Sequence, residues 1–328
     1  TSEGSALGRY NGLAVFVFGA VPGDVVEAHI IKVSKNYAVG IIKEIIEKSP
    51  FRIESDCPVS DKCGGCTFRS MTYEKELQSK LDFVNGNMER IAKLPIRCEE
   101  IIGASDILRY RNKAQYPVCI QGNGFCAGFY AYKSHRIVPA ADCLLQPAEF
   151  KAGVEAFEKW ALAANVSSFD EKSGRGLLRH IYFRKAFATG EIMACAVING
   201  SSVPEPQMLV SFLQSALPGL KSVVLNINKN KTNVILGEKT KLLWGSEKIT
   251  DMLLGKKFII SPQSFYQVNH AQCEKLYSAA AELAGLSGSE TVLDMYCGAG
   301  TVGISLSDKC KSLCGIEIVP QAVENAIE

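Results

Sequence analysis

The sequence has 328 residues, of which 47% are hydrophobic, and this length predicts two or three domains with substantial cores. Its charge is nearly balanced, with 36 Lys and Arg against 34 Asp and Glu, which excludes a strongly basic protein and restricts any nucleic-acid surface to a local patch. Twelve cysteines without a secretory signal pattern or a bilayer-length apolar stretch indicate reduced thiols in a cytoplasmic protein rather than a disulfide scaffold or a membrane protein.

Residues 1 to about 50 are predicted to form a small β-barrel. Turn signals, of which Pro22-Gly23 is the clearest, separate three strand-like runs at 13–18, 25–33 and 37–46. The segment resembles the TRAM domain, an OB-like barrel appended to RNA-modifying enzymes. Barrels of this type bind oligonucleotides on a strand face and its loops, so the resemblance implies RNA binding.

Three cysteines at metal-ligand spacing follow the barrel. Cys57, Cys63 and Cys66 lie six and three residues apart, and two glycines allow a tight loop that turns the last two thiols inward. A tetrahedral site needs a fourth ligand, for which Cys143 is the best candidate. We therefore predict a four-cysteine metal centre.

The spacing leaves open both the kind of centre and its last ligand. A zinc site and an iron–sulfur cluster take thiolates in similar near-tetrahedral arrangements, so the pattern favours neither. Cys119 and Cys126, which flank a predicted hairpin turn at 121–124, are rival fourth ligands. Three unrelated buried cysteines are the remaining alternative.

Three helices are predicted. The first covers 73–94 with Thr72 as its N-cap, and the second begins near Pro147; both have apolar residues on one face. The third covers about 271–284. The apolar stripe of the first is expected to belong to a core.

Two basic windows are candidates for RNA contacts, with a solvated strand as the alternative for each. The window 108–116 interleaves cations with tyrosines, and 171–185 holds five Lys and Arg against one acid. Cations would bind phosphates and aromatic rings would stack on unpaired bases. The residues expected to contact RNA are Arg111, Lys113, Arg179 and Arg184.

The segment before the third helix carries a polar pattern of its own. In an extended chain Phe265, Gln267 and Asn269 point the same way. An aromatic ring and two amides on one face suit a planar base or the polar tail of a cofactor.

A glycine-rich loop near the end of the sequence is the strongest functional signal. A short apolar strand at 291–296 leads into Gly298-x-Gly300-x-x-Gly303, which matches the dinucleotide-binding fingerprint. Glycines at this point let the backbone approach a ligand closely, while the following helix directs its free N–H groups toward it.

The flanks of the loop distinguish between cofactor classes. Asp294 lies four residues before the first glycine, a spacing that resembles motif I of the S-adenosylmethionine-dependent methyltransferases, where a carboxylate faces a cationic ligand. A second strand at 312–316 ends in Glu317, the position from which an acid binds ribose hydroxyls in either class. A nicotinamide enzyme and a glycine-rich turn without function are the alternatives.

Taken together, these segments resemble the TRAM-containing, iron–sulfur RNA uracil-C5 methyltransferases of the bacterial 23S ribosomal RNA type. The motifs that carry the resemblance are the barrel with its 21–24 turn, the four cysteines, Tyr110-Arg111-Asn112-Lys113, Ser264-Phe265-x-Gln267-Val268-Asn269 and Asp294-x-Tyr296-Cys297-Gly298-x-Gly300-Thr301. The resemblance implies a multidomain α/β protein: a TRAM barrel over 1–50, a central α+β cluster-binding domain over 51–250, and over 251–328 the start of a Rossmann-like class I methyltransferase domain.

The resemblance also implies an activity, its cofactors and its site residues. The enzyme would transfer a methyl group from S-adenosyl-L-methionine to C5 of a uridine in RNA, as a monomer, with a 4Fe–4S cluster on Cys57, Cys63, Cys66 and Cys143. Ribosomal RNA is preferred to transfer RNA because the related transfer-RNA methyltransferases generally lack both barrel and cluster. Phe265 would lie beside the target base. The predicted cofactor contacts are Gln267, Asp294 (on the chemical argument above), Tyr296, Gly298, Gly300 and Glu317.

No catalytic residue is assigned within the sequence. Uracil C5 is a poor nucleophile, so a cysteine thiolate must first add at C6, and a base must later remove the C5 proton. The family's nucleophile and base lie after the second strand, and we expect them beyond Glu328 in a chain that looks cut at both ends and would be inactive by itself. Cys297 sits in the cofactor loop and is not favoured. The alternatives are a non-catalytic RNA-binding iron–sulfur module and a methyltransferase acting on transfer RNA.

Overall fold

The computed structural model describes residues 1, 3–122 and 124–328. It divides into two compact units, one formed by Thr1–Gly103 with Ala131–Lys133 and the other by Ala104–Tyr130 with Ser134–Glu328. These units do not follow the motif-based domain boundaries 1–50, 51–250 and 251–328, which stay a prediction. No helix in the described part of the chain is long and apolar enough to span a bilayer.

A four-stranded sheet forms the first part of unit 1. Its strands are β1 (Ser5–Tyr10), β2 (Leu13–Phe18), β3 (Val25–Val33) and β4 (Tyr37–Glu47), in the order β1-β2-β4-β3. The three predicted strands are confirmed, and β1 was missed. The sequence contains a signal for this strand, the Asn11-Gly12 pair, which is typical of a two-residue hairpin turn. Both residues adopt the positive φ that such a turn requires (48° and 84°), between the paired strands β1 and β2.

A buried carboxylate joins the sheet to the segment after it. Asp24 accepts hydrogen bonds from the N–H groups of Val21 (2.6 Å) and Ser49 (2.9 Å), and its side chain, which is 0% exposed, is paired with Arg52. Burial raises the pKa of Asp24, but the hydrogen bonds from Arg52 and the two amides outweigh it and leave the pKa below its usual value. The carboxylate therefore fastens the 21–24 turn to the chain that leaves the barrel.

Helix α1 (Tyr73–Arg90) follows in the same unit, and the predicted N-cap is confirmed because the Thr72 side chain accepts the Lys75 N–H. The helix ends before the predicted residue 94. Lys93 adopts a φ of 56°, and the Leu94 N–H returns to the Met88 carbonyl, six residues back, so the chain turns away from the helix axis here. The predicted apolar stripe is only partly buried, since Ile91 is 77% exposed.

Unit 2 is built on a seven-stranded sheet, ordered β11-β10-β9-β8-β5-β6-β7, in which only β9 and β10 are parallel. Its strands are β5 (Lys113–Gln121), β6 (Gly124–Tyr130), β7 (Ile137–Pro139), β8 (Leu178–Lys185), β9 (Ile192–Ile198), β10 (Leu220–Ile227) and β11 (Lys239–Gly245). The predicted β5–β6 hairpin is confirmed by pairing of Gln121 with Gly124, with Cys119 opposite Cys126; Asn123 of this turn lies outside the described residues.

Both faces of this sheet are covered. Helices α2 (Glu149–Ala163) and α3 (Pro206–Ala216) pack on one face, where Phe150, Phe157 and Phe183 form a buried aromatic cluster. The other face carries the hairpin β12 (Ile249–Leu253) and β13 (Lys256–Ile260) together with α4 (His270–Leu283). The two middle strands, β8 and β9, are consequently buried almost throughout.

The chain ends in a parallel β–loop–α–β arrangement. Strand β14 (Thr291–Asp294) is followed by α5 (Thr301–Leu306), a short 3₁₀ turn, strand β15 (Ser312–Gly315) and α6 (Pro320–Ile327). β14 and β15 are parallel, with Asp294 beside Gly315. This order places the predicted loop and the predicted acidic residue at the carboxyl ends of neighbouring strands, where α/β proteins bind ligands.

Candidate cofactor site and its surroundings

The loop between β14 and α5 is held by the backbone of the next strand. The Cys297 N–H donates to the Ile316 carbonyl (3.1 Å), and the Ile316 N–H donates to the Asp294 carbonyl (2.9 Å). Gly298 and Gly300 have φ values of 55° and 75°, a region that side chains other than glycine rarely adopt. The glycines are therefore required by the path of the loop itself.

Asp294 caps the helix that follows the loop. Gly300 stands at the N-cap of α5 and has no side chain, and the Asp294 carboxylate instead accepts the Gly303 N–H at 3.1 Å. A carboxylate from the preceding strand thus caps the helix. Its negative charge also interacts favourably with the positive N-terminal end of the helix dipole. The prediction that Asp294 also contacts a cofactor remains untested by these contacts.

Glu317 connects the two loops at the ends of β14 and β15. One carboxylate oxygen accepts the Gly298 N–H at 2.9 Å, and the other accepts the N–H groups of Ile318 (2.7 Å) and Val319 (2.8 Å). These bonds, that from Val319 above all, lower the pKa of Glu317. An ionised carboxylate therefore sits against the glycine loop, where the sequence places a ribose-binding acid.

Two further residues of the loop differ in exposure and environment. Tyr296 is 90% exposed and stands clear of the loop backbone. The pKa of the Cys297 thiol is raised by burial and by the nearby carboxylates of Asp294 and Glu317. This environment disfavours the thiolate that a nucleophile needs.

The segment that contains Gln267 is fixed beside this loop by α4. The Tyr277 hydroxyl lies 3.2 Å from the Thr301 hydroxyl, at the start of α5. Burial raises the pKa of Tyr277 to about 12, against the hydrogen bonds from Thr301 and Gln267 that lower it. Tyr277 thus joins α4, which follows the 264–269 segment, to the helix that follows the glycine loop. Tyr277 and Thr301 were not singled out from sequence, because the pattern around Tyr277 is that of an ordinary helix core.

Two motifs that are far apart in sequence meet at this segment. The Asn112 N–H donates to the Val268 carbonyl (2.8 Å), and its side-chain amide donates to the Gln267 carbonyl (2.7 Å). Arg111 forms a β-bridge with Asn269. The Asn269 side chain caps α4 by accepting the Gln272 N–H at 3.1 Å, so it serves the helix rather than the ligand position expected from its alternation with Gln267.

Only part of the predicted RNA surface is available to a substrate. Arg184 is 2% exposed and donates to the carbonyls of Ser261 and Ser264, and Arg179 is 6% exposed and donates to those of Asn228 and Asn230. The prediction that these two arginines contact RNA is therefore wrong for this structure. Their strand, β8, is central and covered on both faces, so the two guanidinium groups donate their hydrogen bonds to loop carbonyls instead of to solvent.

Arg111 and Lys113 are only partly buried and stay candidates for RNA contact, as does Phe265, which is 66% exposed. Burial and the positive charges of Arg184 and Arg111 lower the pKa of Lys113. An RNA phosphate placed there would relieve this repulsion. The prediction that Arg111, Lys113 and Phe265 contact RNA therefore stands as a prediction.

The predicted metal ligands are divided between the two units. Cys57, Cys63 and Cys66 share one turn-rich loop of unit 1, and Cys143 belongs to unit 2. The Gly65 N–H donates to the Cys63 sulfur at 3.4 Å, a contact that suits a thiolate. Among the described residues no three His, Cys, Asp or Glu side chains are arranged to hold a metal ion. The donor types fit a thiolate-bound centre, which stays a prediction, and no step of a reaction is derived through it.

Fold and site together define a mixed α/β protein with a Rossmann-type glycine loop and an acid at the end of the next strand. The TRAM domain family matches residues 1–43, which confirms the predicted TRAM domain. An uncharacterised RNA methyltransferase of Halalkalibacterium halodurans is 41% identical over 99% of this chain and 71% of its own length. One from Caldanaerobacter subterraneus is 42% identical over 99% of this chain and 72% of its own length.

The chain belongs to this RNA methyltransferase family. Its fold is also that of a solved structure, the tRNA (uracil-54, C5)-methyltransferase of Pyrococcus abyssi in complex with S-adenosyl-L-homocysteine. The two are 24% identical with a TM-score of 0.74, over 98% of this chain and 72% of the other. The predicted family is confirmed.

Proposed function

We propose that this protein transfers a methyl group from S-adenosyl-L-methionine to C5 of a uridine in RNA. The observation that carries the proposal is the junction at the glycine loop. There Glu317 binds Gly298, and Tyr277 of α4 contacts Thr301 at the start of α5. A fold shared with a uracil-C5 methyltransferase over 98% of the chain supports the same reading.

When bound, S-adenosyl-L-methionine supplies an electrophilic methyl group. We propose that Glu317 binds its ribose and that Asp294 and Gln267 bind its amino-acid end. Gly298 and Gly300 would let the loop backbone approach the ligand between these two ends. Tyr296 is exposed at the loop surface and is proposed as a further contact. Phe265, exposed on the neighbouring segment, is proposed to lie beside the target base, with Arg111 and Lys113 against RNA phosphates.

Ribosomal RNA of the 23S type is the proposed substrate, and transfer RNA is the second candidate. The Pyrococcus abyssi enzyme is named for transfer RNA, and its match covers 98% of this chain, so the barrel segment has a counterpart there. The presence of a barrel is therefore no longer a reason to prefer ribosomal RNA. The preference for ribosomal RNA over transfer RNA therefore rests on the four cysteines of the predicted cluster, and the assay below tests it. The cytoplasmic location and monomeric state stay predictions.

The decisive assay uses the full-length gene product with S-adenosyl-L-methionine and two unmodified transcripts, one of 23S ribosomal RNA and one of transfer RNA. Nucleosides are analysed by mass spectrometry. We expect 5-methyluridine in the ribosomal transcript. 5-Methyluridine in the transfer RNA alone would select the second candidate, and no methylation of either RNA, with RNA binding retained, would favour the non-catalytic module.

We further propose that the reaction proceeds through a covalent adduct. A cysteine thiolate would add to uracil C6, and C5 would then form a bond to the sulfonium methyl group as the S–CH3 bond breaks and S-adenosyl-L-homocysteine leaves. A base would take the C5 proton, and elimination would release the thiolate. In RNA that contains 5-fluorouridine, fluorine replaces the hydrogen at C5, so no base can remove it and the adduct should be trapped. Peptide mapping is expected to locate it on a cysteine other than Cys297; an adduct on Cys297 would contradict this assignment.

A 4Fe–4S cluster on Cys57, Cys63, Cys66 and Cys143 is the proposed metal centre, supported by the donor types and the N–H···S contact at Cys63. Protein purified without oxygen should contain iron and sulfide and absorb broadly near about 400 nm, where thiolate-to-iron transitions are expected. Cys66→Ser should remove this absorption, whereas Cys310→Ser, a control outside the set, should keep it. A colourless protein that contains zinc would refute the cluster.

A further inference from the structure

The turn that precedes Phe265 is held by buried side chains from two distant elements of unit 2. It runs from Ser261 to Ser264, whose N–H returns to the Ser261 carbonyl at 3.3 Å. Both serines are buried, whereas Phe265 itself is 66% exposed. The chain therefore leaves a fixed turn immediately before it presents the proposed contact with the target base.

Strand β8 fixes the backbone of this turn. The Tyr182 hydroxyl donates to the Pro262 carbonyl at 3.1 Å, and the Arg184 guanidinium donates to the carbonyls of Ser261 (3.3 Å) and Ser264 (2.8 Å). Arg184 is 2% exposed, so its charge acts inside the protein. Because a charged donor makes stronger hydrogen bonds than a neutral one, the turn is held firmly on the sheet.

Helix α6 fixes a side chain of the same turn. Asn325 is 6% exposed, and its side-chain N–H donates to the Ser264 hydroxyl oxygen at 3.0 Å. This oxygen also accepts the Ser261 N–H at 2.9 Å and lies 2.7 Å from the Ser261 hydroxyl. A serine hydroxyl has two acceptor positions and one proton. The two N–H groups therefore fill both acceptor positions, and the Ser264 proton is directed to Ser261.

The Asn325 contact joins two parts of the proposed methyl-transfer site. Helix α6 begins three residues after Glu317, which binds the glycine loop at Gly298. Ser264 directly precedes Phe265 in the sequence. A single side-chain hydrogen bond thus connects the helix that follows the proposed ribose-binding acid to the segment that carries the proposed base contact.

We propose that Asn325 is a positioning residue for methyl transfer. It fixes the Ser264 hydroxyl and thereby sets where Phe265 lies relative to the bound cofactor, without touching the cofactor or the base itself. The inference rests on the proposed function, which places Phe265 beside the target base and Glu317 at the ribose.

The test compares Asn325→Ala and Asn325→Asp with the wild-type full-length gene product. Steady-state methylation is measured on the transcript that the wild type modifies, and calorimetric titration measures binding of S-adenosyl-L-homocysteine. Both variants should lower kcat/KM for RNA by about 10- to 100-fold, since a misplacement of about 1 Å at a reacting group costs on the order of a hundredfold. Asn325→Asp has no N–H to donate and places another acceptor against the Ser264 oxygen. Affinity for S-adenosyl-L-homocysteine and the KM for S-adenosyl-L-methionine should equal those of the wild type.

Gln321→Glu is the matched control, because it makes the same change from amide to carboxylate at an exposed position of α6. It should methylate RNA as the wild type does. A double-mutant cycle isolates the contact itself: Asn325→Ala combined with Ser264→Ala should lose no more kcat/KM than Ser264→Ala alone, since residues joined by one bond are not additive.

Three results would each overturn the proposal. They are wild-type kcat/KM in Asn325→Ala or Asn325→Asp, a loss of cofactor affinity equal to the loss of kcat/KM, and additive losses in the cycle. Thermal unfolding confirms that each variant is folded, and Asn325→Ala, which buries no charge, carries the test if Asn325→Asp does not fold.

The outcome is separate from that of the activity. Wild-type protein that methylates RNA, with both Asn325 variants equally active, would refute the positioning role and retain the activity. Wild-type protein that methylates neither transcript would refute the activity. Anisotropy of labelled RNA then tests whether the turn presents Phe265 to RNA: weaker binding in Asn325→Ala than in Gln321→Glu would support that role, and equal binding would refute it.

Discussion

Asp24, Asp294 and Glu317 are three of the carboxylates that bind backbone amides of neighbouring segments, and each fixes a different connection. Asp24 joins a barrel turn to the chain that leaves the sheet, Asp294 caps α5, and Glu317 joins the ends of β14 and β15. Hydrogen bonds to an ionised group are roughly twice as strong as neutral ones, so each carboxylate holds its loop more firmly than a neutral side chain would. Single substitutions at these positions should therefore have specific and separable effects.

Asp24→Asn should destabilise unit 1 by about 3–5 kcal/mol at neutral pH, because it leaves the Arg52 guanidinium partly buried without its charge partner. The folded-state pKa of Asp24 is lowered, so its contribution is fully present above the unfolded pKa of about 3.9 and is lost as pH falls through the folded value. Urea unfolding should therefore show a wild-type advantage that shrinks below about pH 4. Asp61→Asn, at an exposed acid of the same unit, is the control.

Glu317→Gln should weaken binding of S-adenosyl-L-homocysteine by about 10- to 150-fold, the cost of about 1.5–3 kcal/mol for hydrogen bonds to a charged group. The amide presents an N–H to the loop where an oxygen now accepts from Gly298. Calorimetric titration of the full-length gene product measures the change. Glu324→Gln, at an exposed position of α6, should bind as the wild type does, and equal affinities in all three proteins would contradict the cofactor assignment.

At the scale of elements, close packing of helix α2 on strand β8 defines the core of unit 2. A Cβ atom added at Gly153 would lie 2.6 Å from the Phe183 ring, inside the van der Waals limit. Phe183 is also held by Phe150 and Phe157, so it has no room to move away. The absence of a side chain at Gly153 sets the distance between helix and sheet.

Gly153→Ala should accordingly destabilise unit 2 by about 1–3 kcal/mol despite its higher helix propensity, because overpacking displaces a buried ring. Gly86→Ala is the control within a helix: its new Cβ meets only the flexible guanidinium of Arg90, and the substitution should stabilise α1 by about 0.5–1 kcal/mol. Denaturant midpoints measure both changes. A Gly153→Ala variant as stable as the wild type would show that the helix shifts freely on the sheet.

At the scale of the whole molecule, the chain forms two compact units, each with its own sheet. Unit 1 holds the four-stranded sheet and three of the predicted metal ligands. Unit 2 holds the seven-stranded sheet and the glycine loop. Because each unit has its own hydrogen-bonded sheet and buried residues, each is expected to behave as a cooperative unit in unfolding.

Hydrogen exchange followed by mass spectrometry should therefore separate the two effects in one protein. Asp24→Asn is expected to raise exchange in 5–47, and Gly153→Ala in 149–198, with each leaving the other region at the wild-type rate. The double variant should show the sum, since sites without shared partners are additive. Faster exchange of both regions in either single variant would contradict independent units.

Much of the fold could be predicted from local patterns. The strands of the barrel, the helix capped by Thr72, the hairpin at 121–124 and the β–loop–α–β arrangement around Gly298 all depend on residues close in sequence. Alternation, helical spacing and turn residues report such short-range preferences directly. The ends of elements were less well defined: helix α1 stops where Lys93 turns left-handed, which its apolar spacing did not indicate.

The sequence by itself determined the family, the glycine loop, its two acidic residues and the barrel. The tertiary structure decided which cations are exposed, burying Arg179 and Arg184 in a strand covered on both faces. It also decided that Asn112 meets the Gln267 carbonyl, 155 residues away in sequence. The physical reason is range: turns, caps and glycine conformations are set by neighbouring residues, whereas burial and contacts across many residues exist only once the sheets have packed.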